Sequence, residues 1–382
     1  MKEVNLINPP CQELYDPSVY PPLGLLYIGA ALKNLGYACR YIDLSEGMEE
    51  IPDADYHMIT VLQSTYYTAL EVRKSIKRGK IVIGGIMPTL IPETAMKDFK
   101  CTVVSGEAEQ SMEMVMKSID NDKAFIDCDV VKDLNLSLFP DRDLLSLEKL
   151  RNLSEQFVGR YDGDGAATTM MSSRGCPFRC AYCSKSPNTN YFRFRNANNV
   201  FDEMNLLRNK YGISHIGFID DNFTVSKDST YALCNLLKGQ GFYWRCMTRA
   251  DMVNKDLLTK MYNSGCRNMQ FGSESGSPEV LNLMNKGITV EQNIKAIRLA
   301  EEIGISVKVL IIEDFPGETE EDKKLTMEFI EKSQPHEYAI TKFVPLYGTK
   351  FEKDAKLGEG CFYDNEDSKL KMWLKSEVWR KK

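Results

Sequence analysis

The sequence predicts an α/β protein built in tandem, a doubly wound parallel sheet followed by a partial (β/α)6 barrel. Three observations carry this prediction. Short apolar runs alternate with helical stretches along most of the 382 residues. Polar and glycine-rich residues gather where those runs end, which is where parallel sheets carry their sites. A stretch richer in charge and poorer in periodicity, Asp127 to Tyr161, separates the two halves and closes on the turn-rich Asp162-Gly163-Asp164-Gly165. The resulting boundaries are 1–125 for the first domain, 126–165 for a linker, 166–350 for the barrel and 351–382 for a short helical tail.

Composition narrows the function classes. Hydrophobic residues make up 43%, enough for sizeable cores and too many for a disordered chain. A net charge of -6 gives no electrostatic footing for nucleic acid or an anionic membrane. No apolar run approaches the roughly 20 residues of a membrane span. Met1-Lys2-Glu3-Val4-Asn5 leads straight into a strand with no secretory signal, so a cytoplasmic location is expected. Eleven cysteines in such a chain are not a disulfide framework. Cys11, Cys39, Cys101, Cys128, Cys234, Cys246, Cys266 and Cys361 lack metal spacing and read as small buried apolar residues.

The first half opens with a strand at Val4-Asn5-Leu6-Ile7, ended by Asn8-Pro9-Pro10. Leu23 to Leu35 has helical spacing and stops at Gly36, a C-cap residue. Further strands follow at Cys39 to Ile42, Met58 to Leu62, Ile81 to Ile83 and Thr102 to Val104. Their ends carry Asp43, Ser64-Thr65, Gly84-Gly85 and Gly106-Glu107. His57 lies at the entry of the third strand and reads as a strand-edge histidine rather than a ligand.

The second half repeats the alternation. Strands are predicted at Ala166 to Met171, Ser214 to Ile219, Phe242 to Thr248, Arg267 to Phe271, Ile305 to Ile312 and Ala339 to Val344. Helices are predicted at Asn198 to Arg208, Ser229 to Leu237, Lys255 to Asn263 and Leu325 to Ile330. Ser277-Pro278-Glu279 opens a short helix with Pro at its first position. Thr289-Val290-Glu291-Gln292 has the capping-box form and opens a longer one to Ile303. The strand ends carry Asp220-Asp221-Asn222, Arg249-Ala250-Asp251, Gly272-Ser273-Glu274-Ser275-Gly276 and Glu313-Asp314. A tail helix is predicted near Lys369 to Trp379.

After the first barrel strand stands Cys176-Pro177-Phe178-Arg179-Cys180-Ala181-Tyr182-Cys183, a CxxxCxxC spacing. Thiolates are the usual protein ligands of iron–sulfur clusters. Three of them leave one iron of a [4Fe–4S] cluster open, as catalysis needs. A structural zinc would want a fourth ligand nearby, and Lys185-Ser186-Pro187 offers none. Structural zinc or three unrelated core cysteines are the bland alternatives.

This motif resembles that of the radical S-adenosylmethionine (SAM) enzymes. Asn8-Pro9-Pro10, Pro22-Leu23-Gly24-Leu25, Gly84-Gly85 and Gly106-Glu107-Ala108-Glu109 resemble the cobalamin-binding domain of one large subfamily, and Leu134 to Asp143 resembles its interdomain segment. The resemblance implies a Rossmann-like, cobalamin-binding-type first domain. It implies that Cys176, Cys180 and Cys183 hold a [4Fe–4S] cluster whose open iron is chelated by SAM. SAM would meet Tyr182, Asp220, Asp221, Asn222, Arg249, Glu274 and Ser275. Asp314 has two readings, a contact to SAM or to a substrate amine or hydroxyl, and a solvated loop acid or a salt bridge to a nearby Lys or Arg. Cobalamin would lie against Asn8, Asp43, Ser64, Gly84, Gly85, Gly106 and Glu107. The loop from Asn8 to Tyr20 has no histidine for cobalt, so any corrin would lack a protein imidazole.

The implied activity is reductive cleavage of SAM and hydrogen abstraction from a small molecule, with methyl transfer from cobalamin as the outcome. Radical rearrangement, cyclisation or oxidation without cobalamin is the alternative within the class. A non-enzymatic electron-transfer or iron–sulfur binding protein is the alternative outside it, and would not need Asp220 to Asn222 or Glu274-Ser275. The implied partners are a small-molecule substrate and an electron donor such as flavodoxin or ferredoxin.

Overall fold

The computed structural model describes residues 1–11, 22–44, 50–147, 150, 166–185 and 191–358. They fall into two compact units. One is built from Met1–Asn152 with Ser184–Asn190 and Pro345–Gly360, and the other from Leu153–Cys183 with Tyr191–Val344. The predicted tail helix and the Asp162 to Gly165 turn lie outside the described residues.

In chain order the first unit runs β1 (Glu3–Asn8), α1 (Leu23–Asn34), β2 (Ala38–Asp43), β3 (Tyr56–Thr60), α2 (Tyr66–Ser75) and β4 (Lys80–Gly84). It continues with α3 (Ile86–Leu90), α4 (Pro92–Phe99), β5 (Thr102–Ser105), α5 (Met112–Asp120) and β6 (Phe125–Asp127). The sheet order is β2-β1-β3-β4-β5-β6, every pair parallel. Successive strand residues face opposite sides, and both sides are covered. Val4, Leu6, Met58, Val82 and Val104 pack on one face, and Ile7, Ile59, Ile83 and Val103 on the other. Helix α1 ends as predicted, with Gly36 at a φ of 86°.

Two features of this unit were not legible in the sequence. Phe125–Asp127 adds a sixth strand beyond the five predicted, because Val103, Val104 and Ser105 pair with it. The predicted linker therefore begins inside the sheet. The chain also returns after the barrel, and Pro345–Gly360 belongs to this unit rather than to a separate tail. Gln63 holds that returning segment. Its Nε2 donates to the carbonyls of Pro345 (3.1 Å) and Lys356 (3.2 Å), and its Oε1 accepts from the Tyr347 amide at 3.1 Å. Tyr347 and Leu357 then pack against the core around Tyr66. Gln63 is 8% exposed, so Gln63→Leu strands backbone groups with no side-chain partner. Each such group costs about 1–3 kcal/mol. Urea unfolding should show the first unit weakened by at least that much, and a midpoint equal to the parent's would refute this role for Gln63.

The second unit runs β7 (Ala166–Met170), β8 (Ser173–Arg174), β9 (Arg193–Phe194), α6 (Ala197–Tyr211), β10 (Ile213–Phe218), α7 (Lys227–Leu237) and β11 (Tyr243–Thr248). It continues with α8 (Lys255–Asn263), β12 (Cys266–Glu274), α9 (Pro278–Leu283), α10 (Val290–Ile303), β13 (Ser306–Glu313), α11 (Glu320–Ser333) and β14 (Glu337–Lys342). β8 and β9 form a short antiparallel pair. The six remaining strands lie in the order β7-β10-β11-β12-β13-β14, all parallel, an open half-barrel. Burial alternates along β11, where Trp244, Cys246 and Thr248 are buried and the residues between them are half exposed.

Side-chain caps set where these helices begin. Asn196, Ser226, Asn254, Ser277, Thr289 and Thr319 each accept a hydrogen bond from the first turn. The predicted capping box at Thr289 and Gln292 is present, and Thr319 with Asp322 makes another. Strand β12 corrects its prediction. It does not stop at Phe271 but runs on to Glu274, with a register shift against β13 between Gly272 and Glu274. Such a bulge re-aims a side chain, and Glu274 takes a φ of 68° there.

Candidate active site

Asp220 at the end of β10 ties down the loop that leaves β7. Its carboxylate accepts from the amide and hydroxyl of Ser172 (3.1 and 2.7 Å) and from the hydroxyl of Ser173 (2.5 Å). It is 1% exposed, and burial pushes its pKa upward against those hydrogen bonds. Asp220, expected to meet SAM, thus also anchors the cysteine loop. Asp221 beside it is exposed. Asn222 is buried. Its Oδ1 accepts from Thr248 at 2.9 Å, while its Nδ2 has no hydrogen-bond partner. Buried donors are rarely left unmade, so of the trio Asn222 is the one that asks for a ligand.

The loop itself carries Cys176 and Cys180, half-buried, and Cys183, exposed. Three contacts fix it from the turn after α9. The Ala181 amide donates to the Met284 carbonyl at 2.8 Å, and Asn285 Nδ2 donates to the Arg179 carbonyl at 2.7 Å. Lys286 Nζ donates to the Tyr182 hydroxyl at 2.9 Å. Arg249, after β11, adds a fourth. Its Nη1 lies 3.7 Å from Cys180 Sγ, and its guanidinium carbon is 3.9 Å from the Phe178 ring centroid. Among the described residues no three His, Cys, Asp or Glu side chains converge on a single metal ion. A [4Fe–4S] cluster does not ask for that, because each thiolate binds its own iron.

Glu274 and Lys286 form a buried pair, Nζ to Oε1 at 2.9 Å, with side chains 10% and 5% exposed. The Tyr182 hydroxyl donates to the same Oε1 at 2.8 Å. Burial first, and then the Glu274 charge, hold the Tyr182 hydroxyl protonated well above its ordinary range. Gly272 is needed here, since a Cβ would stand 2.4 Å from Glu274 Oε1. Ser275 does not face this cluster. Its hydroxyl meets Thr326 at 3.1 Å and accepts from the Ser277 amide at 3.1 Å, so it joins the strand end to α11. Gly276 lets that helix approach, for a Cβ would meet Phe329 Cβ at 2.5 Å. Asp314 is exposed and pairs with Lys323 at 2.8 Å, the salt-bridge reading of that residue. Its amide donates to Glu318 at 2.6 Å.

In the first unit the predicted residues line the carboxyl-terminal edge of the sheet. Asn8 Nδ2 donates to Asp43 Oδ1 at 3.2 Å across β1 and β2. Ser64 stands 3.9 Å from Cys11 Sγ. Gly85 and Gly106 take φ of 106° and 87°, which favours glycine, and the Gly106 amide donates to Thr89 at 3.0 Å. Gly84 ends β4 and is half-buried. The chain reverses its winding between β1 and β3, and ligands of doubly wound sheets bind at such a point. Glu107 accepts from the Val131 amide at 2.6 Å. His57 sits at the amino-terminal end of interior strand β3, 1% exposed and 3.2 Å from Asn5, not at a sheet edge. Burial pushes its pKa down.

Sequence reasoning missed Lys286, Asn285 and the two serines on Asp220. Only Asn285-Lys286-Gly287 left a trace, as a turn-forming Asn and Gly; both take positive φ. Nothing in the spacing said that this turn returns to the cysteines.

The description "Radical SAM superfamily" matches residues 170–330, and "B12 binding domain" matches residues 16–116. The chain is 29% identical to an uncharacterised methyltransferase of Pyrococcus horikoshii over 360 residues, covering 86% of this chain and 77% of that one. It is 26% identical to the anaerobic magnesium-protoporphyrin IX monomethyl ester cyclase of Cereibacter sphaeroides, covering 86% of this chain but only 60% of that enzyme. Its fold matches that of TsrM from Kitasatospora setae, a radical SAM methyltransferase solved with cobalamin and a [4Fe–4S] cluster, at a TM-score of 0.73 and 17% identity, covering 92% and 77% of the two chains.

Proposed function

We propose, for a chain that belongs to the radical SAM superfamily and to its branch with a cobalamin-binding domain before the barrel, that it transfers a methyl group to an unactivated carbon of a small molecule. One observation carries this most directly. The only CxxxCxxC of the chain lies on the loop from the first barrel strand, held there by Asp220, Arg249 and the 284–286 turn.

The residues fit the groups this chemistry needs. Cys176, Cys180 and Cys183 lie on one loop and would hold a [4Fe–4S] cluster. Asn222 keeps a buried donor open for SAM, and Glu274, with Lys286 and Tyr182, sets a fixed polar cluster at the end of the next strand but one. Asn8, Asp43, Ser64, Gly84, Gly85 and Gly106 offer polar and backbone contacts for a corrin at the winding reversal. When bound, cluster and SAM supply a deoxyadenosyl radical that abstracts a hydrogen atom, and cobalamin supplies the methyl group. The chain's own work is to orient these groups and keep water out. The electron comes from a donor such as flavodoxin or ferredoxin.

Anaerobic reconstitution with iron, sulfide and hydroxocobalamin, followed by metal analysis and an absorption spectrum, tests the proposal. Iron with matching sulfide and stoichiometric cobalt are expected. A loaded cluster with no corrin would move the assignment to rearrangement, cyclisation or oxidation. Electron paramagnetic resonance of the Co(II) form should show no protein-nitrogen splitting, since buried His57 lies at the far end of its strand. Splitting lost in His57→Ala would refute that.

A further inference from the structure

We propose that Arg249 is a positioning residue for the cluster, which raises its reduction potential through the sulfur of Cys180. The inference rests on the reading above that Cys176, Cys180 and Cys183 hold the cluster. The family resemblance implies a contact between Arg249 and SAM. The geometry gives its donors other work. Nε and Nη2 form a two-pronged pair with Asp251, at 3.0 Å each, and Nη2 also donates to the Lys286 carbonyl at 2.8 Å. The guanidinium carbon stands 3.9 Å from the Phe178 ring centroid, within the range of a cation–π contact. Held on those sides, the group presents Nη1 to Cys180 Sγ at 3.7 Å. Arg249 is 6% exposed, so little water weakens the contact.

The sign follows from charge. Reduction adds one electron to a cluster whose thiolate ligands already carry negative charge. A cation donating a hydrogen bond to one of those sulfurs stabilises the reduced state more than the oxidised one. Hydrogen bonds to the sulfurs are among the established determinants of cluster potential. A residue that only bound SAM would change SAM affinity and leave the potential of the SAM-free cluster alone.

The test is a dithionite titration of the [4Fe–4S]2+/1+ couple in reconstituted full-length protein without SAM, followed by electron paramagnetic resonance. Dithionite supplies the single electron. Arg249→Gln should shift the midpoint to more negative potential at parental iron content. Arg249→Lys keeps the charge without the fork and should fall between. Asp251→Asn removes a neighbouring negative charge and should not move the midpoint down. A midpoint in Arg249→Gln equal to the parent's, with equal iron, overturns the inference. If the Gln variant holds no cluster, Arg249→Lys decides, and a midpoint equal to the parent's overturns it. A parent chain that never loads a cluster sinks the underlying reading instead.

Discussion

Ala in place of Cys176, Cys180 or Cys183 should abolish formation of 5′-deoxyadenosine from SAM under dithionite, while the protein still folds. The first half of that outcome follows from ligand chemistry. Each thiolate binds a separate iron, and no His, Cys, Asp or Glu cluster among the described residues could replace a missing one. The second half follows from what holds the loop. Its anchors are Asp220 on Ser172 and Ser173, Asn285 on Arg179, the Met284 carbonyl on Ala181, and Lys286 on Tyr182. None of these meets a cysteine side chain; Arg249 also contacts Cys180 Sγ at 3.7 Å, and Cys180→Ala loses that contact alone of the five. Cys183 is exposed and the other two are half-buried, so truncation leaves no large cavity. Product analysis should show loss to the background rate, and circular dichroism should match the parent. If the triple variant makes 5′-deoxyadenosine at the parent rate, the cluster assignment fails.

The fold was legible because parallel sheets leave two clear marks. Strands buried on both faces read as short apolar runs, and their carboxyl ends collect Gly, Asp, Asn and Ser. Ile81-Val82-Ile83 followed by Gly84-Gly85 shows both marks, and β4 with its turn occupies that place. β6 escaped because Phe125-Ile126-Asp127 is three residues long with one buried side chain. The returning segment escaped because its hold on the first unit is Gln63, a polar residue with no periodic signal.

The site was legible as a set of places but not as a set of contacts. The sequence located Asp220, Arg249, Glu274 and Ser275 at strand ends, where the structure has them. What it could not say was which of their atoms were already used. Asp220 is committed to Ser172 and Ser173, and Ser275 to Thr326 and Ser277. Ser277 is two residues on, but Ser172, Ser173 and Thr326 lie 47 to 51 residues from their partners. Separations of that size are set by topology, not by local pattern. The bulge in β12 is a further case. It turns Glu274 toward Lys286, and no local propensity announces a bulge.

Lys286→Met should destabilise the barrel strongly while leaving the cysteines intact. The substitution removes an ammonium held 2.9 Å from Glu274 Oε1 and 2.9 Å from the Tyr182 hydroxyl. Glu274 is 7% exposed, so its charge would be left buried without a cation. Breaking a buried pair by deleting one partner costs about 3–5 kcal/mol. Tyr182, its proton held on by burial and the Glu274 carboxylate, still donates to Oε1, but a neutral donor does not replace the cation. Glu274→Gln should cost less than Lys286→Met. An amide oxygen can still accept from Lys286 and Tyr182, although the ammonium then lacks its counter-charge. The decisive comparison is the double variant. Glu274→Gln with Lys286→Met leaves no charge unpaired, so it should recover part of what Lys286→Met alone loses. Urea unfolding of the four proteins gives the coupling directly. A loss below about 1 kcal/mol for Lys286→Met, the range of exposed pairs, would show that the pair is solvated in solution. A double variant no more stable than Lys286→Met would show that the loss comes from packing of the lysine stem rather than from the stranded carboxylate.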